Sequence, residues 1–233
     1  MKGFAVRTVV FDLDGTLADT SADLLAAANA CFTELGLGAP LGPGDAPTAF
    51  AGGRAMLRLG FSRRGDSRAA AATEASLEAA VAAAFPRFLS VYAQGLDRHT
   101  RLYPGARAAV ERLIAAGWRT AICTNKPEDL AEELLRRLGV RSLFGALVGA
   151  GTLPVRKPDP APYRLSVERA GGQVGRSLLV GDTVTDRDTA RAAGVPVVLV
   201  GFGPEGAQVR RWQPDATLAH FDELPGVAEG LVS

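Results

Sequence analysis

The chain has 233 residues, 47% of them hydrophobic, with 26 Lys and Arg against 25 Asp and Glu and a formal charge of +1. That length suits one large domain, or a domain carrying a smaller one, and the charge lacks the basic excess that phosphate-backbone binding favours. No apolar run approaches the ~20 residues of a membrane span, and the N-terminus runs into a strand rather than a signal segment. Cytoplasmic location is therefore expected, with neither nucleic acid nor membrane as partner.

The first element is the apolar run VRTVVFD, residues 6 to 12, which reads as a strand buried on both faces. It ends in FDLDGTLADT, Phe11 to Thr20, where Asp12, Asp14 and Asp19 crowd into ten residues. Residues 20 to 100 then hold no strand pattern. ADLLAAANACFTELG and ATEASLEAAVAAAFPRFLSVYAQG are helical, joined through the Gly/Pro-rich GAPLGPGDAP. This stretch exceeds any crossover between neighbouring strands, so a helical cap domain over 19–100 is expected, inserted into a core of 1–18 and 101–233.

Past residue 100 strand and helix alternate. The strands are RTAICTN (119 to 125), GALVGA (145 to 150), SLLVGD (177 to 182) and PVVLVG (196 to 201). The helices are PGARAAVERLIAAG, with Pro104 in the first turn and Gly117 at the end, then PEDLAEELLRRLG, PAPYRLSVERAGG and DRDTARAAG. The expected fold is α/β, a doubly wound parallel sheet with a Rossmann-like core and an inserted all-helical cap domain. Cys31 and Cys123 lack zinc-ligand spacing and are expected as buried thiols.

Asp12, Thr124 and Asp182 each end a predicted strand, and such ends share one edge of a parallel sheet. With Asp14, Asp186 and Lys157 they would crowd four carboxylates into one crevice. Two unit charges ~4 Å apart interact by roughly 4 kcal/mol at an effective dielectric of 20, so protonation or a bound cation must relieve the repulsion. Oxygen ligands without His or Cys favour Mg2+. Thr124 and Lys157 would supply a hydroxyl and a cation to phosphoryl oxygens. An aspartate is a competent nucleophile at phosphorus, and Asp14 is placed to protonate a leaving oxygen and then activate water.

FDLDGTLADT, ICTNKP, RKPDPAPY and VGDTVTD occur in order and resemble the four motifs of the haloacid dehalogenase-like superfamily in its phosphatase form. The resemblance implies Asp12 as nucleophile, Asp14 as acid/base, and Thr124 and Lys157 as phosphoryl clamps. It also implies Mg2+ held by Asp12, the backbone carbonyl of Asp14 and Asp182, with Asp186 supporting from just outside. TNKP, HTRLYPGARAAVERL and AGGRAML are similar to the phosphoglycolate phosphatase branch. Ala51-Gly52-Gly53 stands where that branch often has Gly-x-Gly, and Gly201-Phe202-Gly203 where it has Gly-Tyr-Asn.

By this resemblance the substrate is a small phosphate monoester, 2-phosphoglycolate first, with Thr16, Asn125, Gly53 and Arg54 as candidate substrate contacts. The helical insertion is expected to close over the crevice as a lid. A sugar-phosphate phosphatase or phosphomutase of the same superfamily shares every core motif. A phospho-accepting receiver-like binding module uses similar residues but is about half as long.

Other signals are weaker. GFGPEG, Gly201 to Gly206, fits a dinucleotide fingerprint but follows the last predicted strand and reads as a turn. Asp19 and Asp188 read as helix-start residues, and His99 and His220 as surface or loop residues. Arg136, Arg137, Arg210 and Arg211 read as solvated charges. Arg63 and Arg64 lie in the inserted stretch, where a substrate role has no further support.

Overall fold

The computed structural model describes residues 6–63 and 73–232. The chain falls into two compact units, one of Thr20–Thr100 and the other of the segments up to Asp19 and from Arg101 onward. In chain order, β1 (Thr8–Phe11) and β2 (Ala18–Asp19) precede the helical unit of α1 (Ser21–Glu34), α2 (Ala46–Ala49), α3 (Gly53–Arg63) and α4 (Glu74–Gln94). There follow β3 (Arg101–Leu102), α5 (Ala106–Ala115), β4 (Arg119–Pro127), α6 (Glu128–Arg137), β5 (Ala146–Ala150), α7 (Pro160–Arg169) and β6 (Ser177–Gly181). The chain ends with α8 (Val184–Ala193), β7 (Val197–Val200), β8 (Ala216–Leu218) and α9 (Leu224–Leu231).

The main sheet is parallel throughout, in the order β5-β4-β1-β6-β7-β8. Its central strands are buried on both faces, which is why they read as continuous Val, Ile and Leu runs rather than alternating ones. β8 escapes the sequence pattern. It is three residues long, two of them half-buried, and it is held by pairing with β7 through Val198 and Ala216 to Val200 and Leu218. β2 and β3 form a separate antiparallel ribbon, Ala18 against Leu102 and Asp19 against Arg101.

Three expectations about helix starts are corrected here. Asp19 lies in β2, one residue before the N-cap Thr20. Asp188 lies inside α8 and pairs with Arg187 at 3.0 Å; the cap of that helix is Thr183 with Asp186, whose Oδ2 accepts from the Thr183 backbone N–H at 3.1 Å and hydroxyl at 2.8 Å. Pro104 precedes α5, whose N-cap is the left-handed Gly105.

In the helical unit α1 and α4 follow their apolar spacing, whereas α2 and α3 were not expected. α3 carries two glycines, poor helix formers, and tertiary packing supplies the stability. A Cβ on Gly60 would lie 2.2 Å from the Phe32 ring, and one on Gly53 would lie 2.1 Å from the Phe88 ring. The glycines admit those two rings, and Met56 and Leu57 on the same helix are fully buried. Asp23 on α1 joins the two ends of the unit, accepting from the backbone N–H of His99 at 3.0 Å and of Thr100 at 2.8 Å.

Arg63 is paired with Asp45, and Arg64 lies outside the described residues. Cys31 and Cys123 are both buried free thiols. His99 is bound through its backbone, and the half-exposed His220 accepts the Asp222 N–H on Nδ1. Arg136 and Arg137 pair with Glu133, and Arg211 with Glu205. Among the described residues, no helix is long and apolar enough to cross a membrane.

Candidate active site

Register brings the strand ends level. Phe11 on β1 lies beside Ile122 on β4 and Val180 on β6, and the Asp12 N–H donates to the Val180 carbonyl at 2.9 Å. Asp12, one residue past Phe11, and Thr124 and Asp182, two residues past Ile122 and Val180, therefore reach the same carboxyl edge, at the point where strand order runs out from β1 in both directions. After β1 the chain turns tightly around the Leu13 carbonyl, which accepts from Leu17 at 3.0 Å and Ala18 at 3.1 Å. That turn carries Asp14 and Thr16 back over the edge.

Lys157 sits among the carboxylates. Its Nζ is 3.1 Å from Asp12 Oδ2 and 2.6 Å from Asp186 Oδ1. Burial by itself would strip the proton from the ammonium; the two carboxylates outweigh it and raise the lysine pKa above its ordinary value. Burial pushes Asp12 up to about 6, against the pull of Lys157 and with help from Asp186. Asp182 is raised well above the ordinary range by burial, then by Asp186 and Asp12.

The oxygens of these carboxylates have different fates. Asp186 Oδ2 accepts from the Thr183 hydroxyl at 2.8 Å and backbone N–H at 3.1 Å, so Asp186 is committed to capping α8 and holding Lys157. Asp182 Oδ1 accepts from the Thr16 hydroxyl at 2.7 Å. Asp182 Oδ2 is buried with no hydrogen-bond partner among the described residues. An oxygen of each of Asp12, Asp182 and Asp186 lies within 4.8 Å of the others. A buried acceptor without a donor is a costly arrangement that a proton or a cation relieves. The donors are all oxygen, and the edge holds more carboxylates (Asp12, Asp14, Asp182, Asp186) than ammonium groups (Lys126, Lys157). This buried cluster fits a hard divalent cation.

Asp14 faces another way. Its carboxylate is 2.9 and 3.3 Å from Nζ of Lys126, a buried lysine that sequence reasoning did not single out. The signal was available in TNKP, since Lys126 is two residues from Thr124 and thus on the same side of β4. Two of the candidate substrate contacts are engaged within this unit: Thr16 with Asp182, and Asn125, whose side-chain amide donates to the Lys157 carbonyl at 3.0 Å. Gly53 and Arg54 belong to the helical unit, where Arg54 lies 4.2 Å above the Phe85 ring.

The GFGPEG segment borders the site. A Cβ on Gly203 would lie 2.8 Å from the Gly15 carbonyl oxygen and 3.5 Å from Asp182 Cβ, so this position admits only glycine without displacing the Asp12–Thr16 turn. Phe202 packs between the rings of Tyr103, 5.3 Å away, and Phe221, 5.1 Å away.

A doubly wound sheet with this aspartate and lysine edge is suited to phosphoryl chemistry. The sequence matches the haloacid dehalogenase-like hydrolase family over residues 6–194, and the chain belongs to that family. It is 41% identical over 226 residues to the phosphoglycolate phosphatase of Mesorhizobium japonicum, covering 96% of each chain. It is 38% identical to the phosphoglycolate phosphatase of Rhodospirillum rubrum, covering 97% of this chain and 90% of that one. A crystal structure from Lactobacillus delbrueckii subsp. bulgaricus shares the fold with a TM-score of 0.84 at 24% identity, covering 99% of this chain and 100% of the other. The protein is an enzyme of the phosphoric monoester hydrolase class.

Proposed function

We propose that the protein is a Mg2+-dependent phosphatase of a small anionic phosphate monoester, 2-phosphoglycolate first, working through an aspartyl-phosphate on Asp12. The observation that carries this reading is Asp12 held by Lys157 beside the unpartnered Asp182 oxygen. The substrate choice draws on the relatives with 41% and 38% identity over almost the whole chain.

In this reading an Asp12 carboxylate oxygen attacks phosphorus in line. The ester P–O bond breaks, its electron pair leaves with the substrate oxygen, and that oxygen takes the proton of Asp14. Asp14 then accepts a proton from a water whose oxygen attacks phosphorus. The bond from phosphorus to Asp12 breaks, its electron pair returns to the carboxylate, and inorganic phosphate departs. Thr124 and Lys157 steady the phosphoryl oxygens, and Asp186 holds Lys157 in place. Mg2+, held by Asp12, the Asp14 backbone carbonyl and Asp182, would supply positive charge to the phosphoryl oxygens and take the place of protons on the crowded carboxylates. The helical unit, Thr20–Thr100, acts as the cap domain that selects the substrate.

The test is phosphate release across a panel of small phosphate esters, with Mg2+ and with excess EDTA. The highest kcat/KM is expected for 2-phosphoglycolate, with activity lost on chelation and restored by Mg2+. Faster turnover of hexose phosphates would move the assignment to a sugar phosphatase, and a single stable phosphorylation without turnover would make the protein a receiver-like switch.

A further inference from the structure

A buried ammonium loses its hydration and persists only where a partner compensates. The catalytic edge holds two such lysines. Lys157 has a part in the mechanism above; Lys126 has none. Its side chain is 3% exposed, and it approaches both oxygens of Asp14, whose own side chain is 18% exposed.

The backbone fixes where Lys126 can reach. Thr124 and Lys126 lie on the buried side of β4 and Asn125 on the exposed side. The Lys126 N–H donates to Thr124 Oγ1 at 3.2 Å, and Asn125 between them holds the Lys157 carbonyl at 3.0 Å. One run of three residues thus ties together the hydroxyl, the Lys157 loop and the Asp14 carboxylate. Asp14 itself stands on a turn, and its carboxylate oxygens point to Lys126 rather than into the group formed by Asp12, Asp182 and Asp186.

We infer that Lys126 is a positioning residue for Asp14: it holds the acid/base carboxyl apart from the metal-binding carboxylates, on the side from which it serves the leaving oxygen and then the water. The inference rests on the acid/base role proposed for Asp14. Misplacing such a group by about 1 Å can cost on the order of 10²-fold in rate, so the loss of Lys126 should appear in the chemical steps and not in binding.

The experiment compares Lys126→Met and Lys126→Arg with Asp14→Asn and the Asp14→Asn/Lys126→Met pair; Lys126→Gln replaces the Met variant if circular dichroism shows that it does not fold. On 2-phosphoglycolate, Lys126→Met should lower kcat by about 10- to 100-fold with KM changed by less than about threefold. Lys126→Arg should recover part of the loss. The pre-steady-state burst of p-nitrophenolate from p-nitrophenyl phosphate, whose leaving oxygen needs little proton help, should stay within about threefold of wild type. The double variant should be no slower than Asp14→Asn, because both act through one carboxyl.

A rise in KM as large as the fall in kcat would overturn the inference and make Lys126 a receptor for the substrate's own anionic group. An equal loss in the burst, or additive losses in the double variant, would overturn it in favour of a general structural role. Unchanged 2-phosphoglycolate turnover in Asp14→Asn would remove the acid/base reading itself, whatever the Lys126 variants do.

Discussion

The Thr16 hydroxyl donates to Asp182 Oδ1 at 2.7 Å, joining residues 166 positions apart and leaving Asp182 Oδ2 as the oxygen without a partner. Thr16→Val keeps the shape and removes the donor, so a second buried acceptor loses its partner. The expected cost is about 1 to 3 kcal/mol in urea unfolding of the metal-free protein. Mg2+ affinity by calorimetry should fall as well, because Asp182 is no longer oriented. Unchanged affinity would show that the bond does not set the direction of the free oxygen.

Acting in the same direction as the raised Asp182, Asp12 makes one contribution to the pH dependence of stability. Without metal its folded pKa is raised from 3.8 to about 6 by burial, so the folded chain binds a proton that the unfolded chain has already released. Its contribution is fully present below the unfolded value and is lost as pH rises through about 6. In EDTA the melting temperature should therefore fall between pH 4 and pH 6 more steeply for wild type than for Asp12→Asn. The depressed Glu133, at about 2, acts below its ordinary value of 4.5 and barely enters this window. Stabilisation by saturating Mg2+ should be larger at pH 7 than at pH 5, since the cation competes with protons. Parallel melting curves for the two proteins would count against the raised Asp12.

Asp12→Asn should release no phosphate from any ester, because the amide offers no comparable nucleophile. Beryllofluoride with Mg2+ should bind the wild type and attach at Asp12, as seen by crystallography; attachment elsewhere would reassign the nucleophile. Asp14→Asn should slow turnover by roughly 10²- to 10⁴-fold.

Arg54 lies over Phe85 on the helical unit, an exposed-type stacking contact worth about 0.5 to 1 kcal/mol. Arg54→Ala should accordingly change stability little. If its guanidinium also meets a substrate carboxylate, kcat/KM for 2-phosphoglycolate should fall much further than for p-nitrophenyl phosphate, which has none. Equal losses on the two substrates would remove Arg54 as a specificity residue.

The runs TVVF, TAIC and SLLVG were legible as strands because a strand buried on both faces is apolar at nearly every position, a property written in consecutive residues. The same holds for α6, whose leucines recur on one face. Legible too was the grouping of aspartates just after strands, together with the electrostatic need for a cation. What each side chain touches was not. Lys126 meets Asp14 across 112 positions, Thr16 meets Asp182 across 166, and Gly203 backs onto Gly15 through a loop that reads locally as a plain turn. α3 forms against its own glycines because Phe32 and Phe88 occupy the space they leave, and β8 exists because β7 offers it an edge. Periodicity and burial are local and leave their mark on neighbouring residues. Hydrogen-bond partners, ring contacts and the direction of a carboxylate depend on distant segments meeting, and only the folded chain decides them.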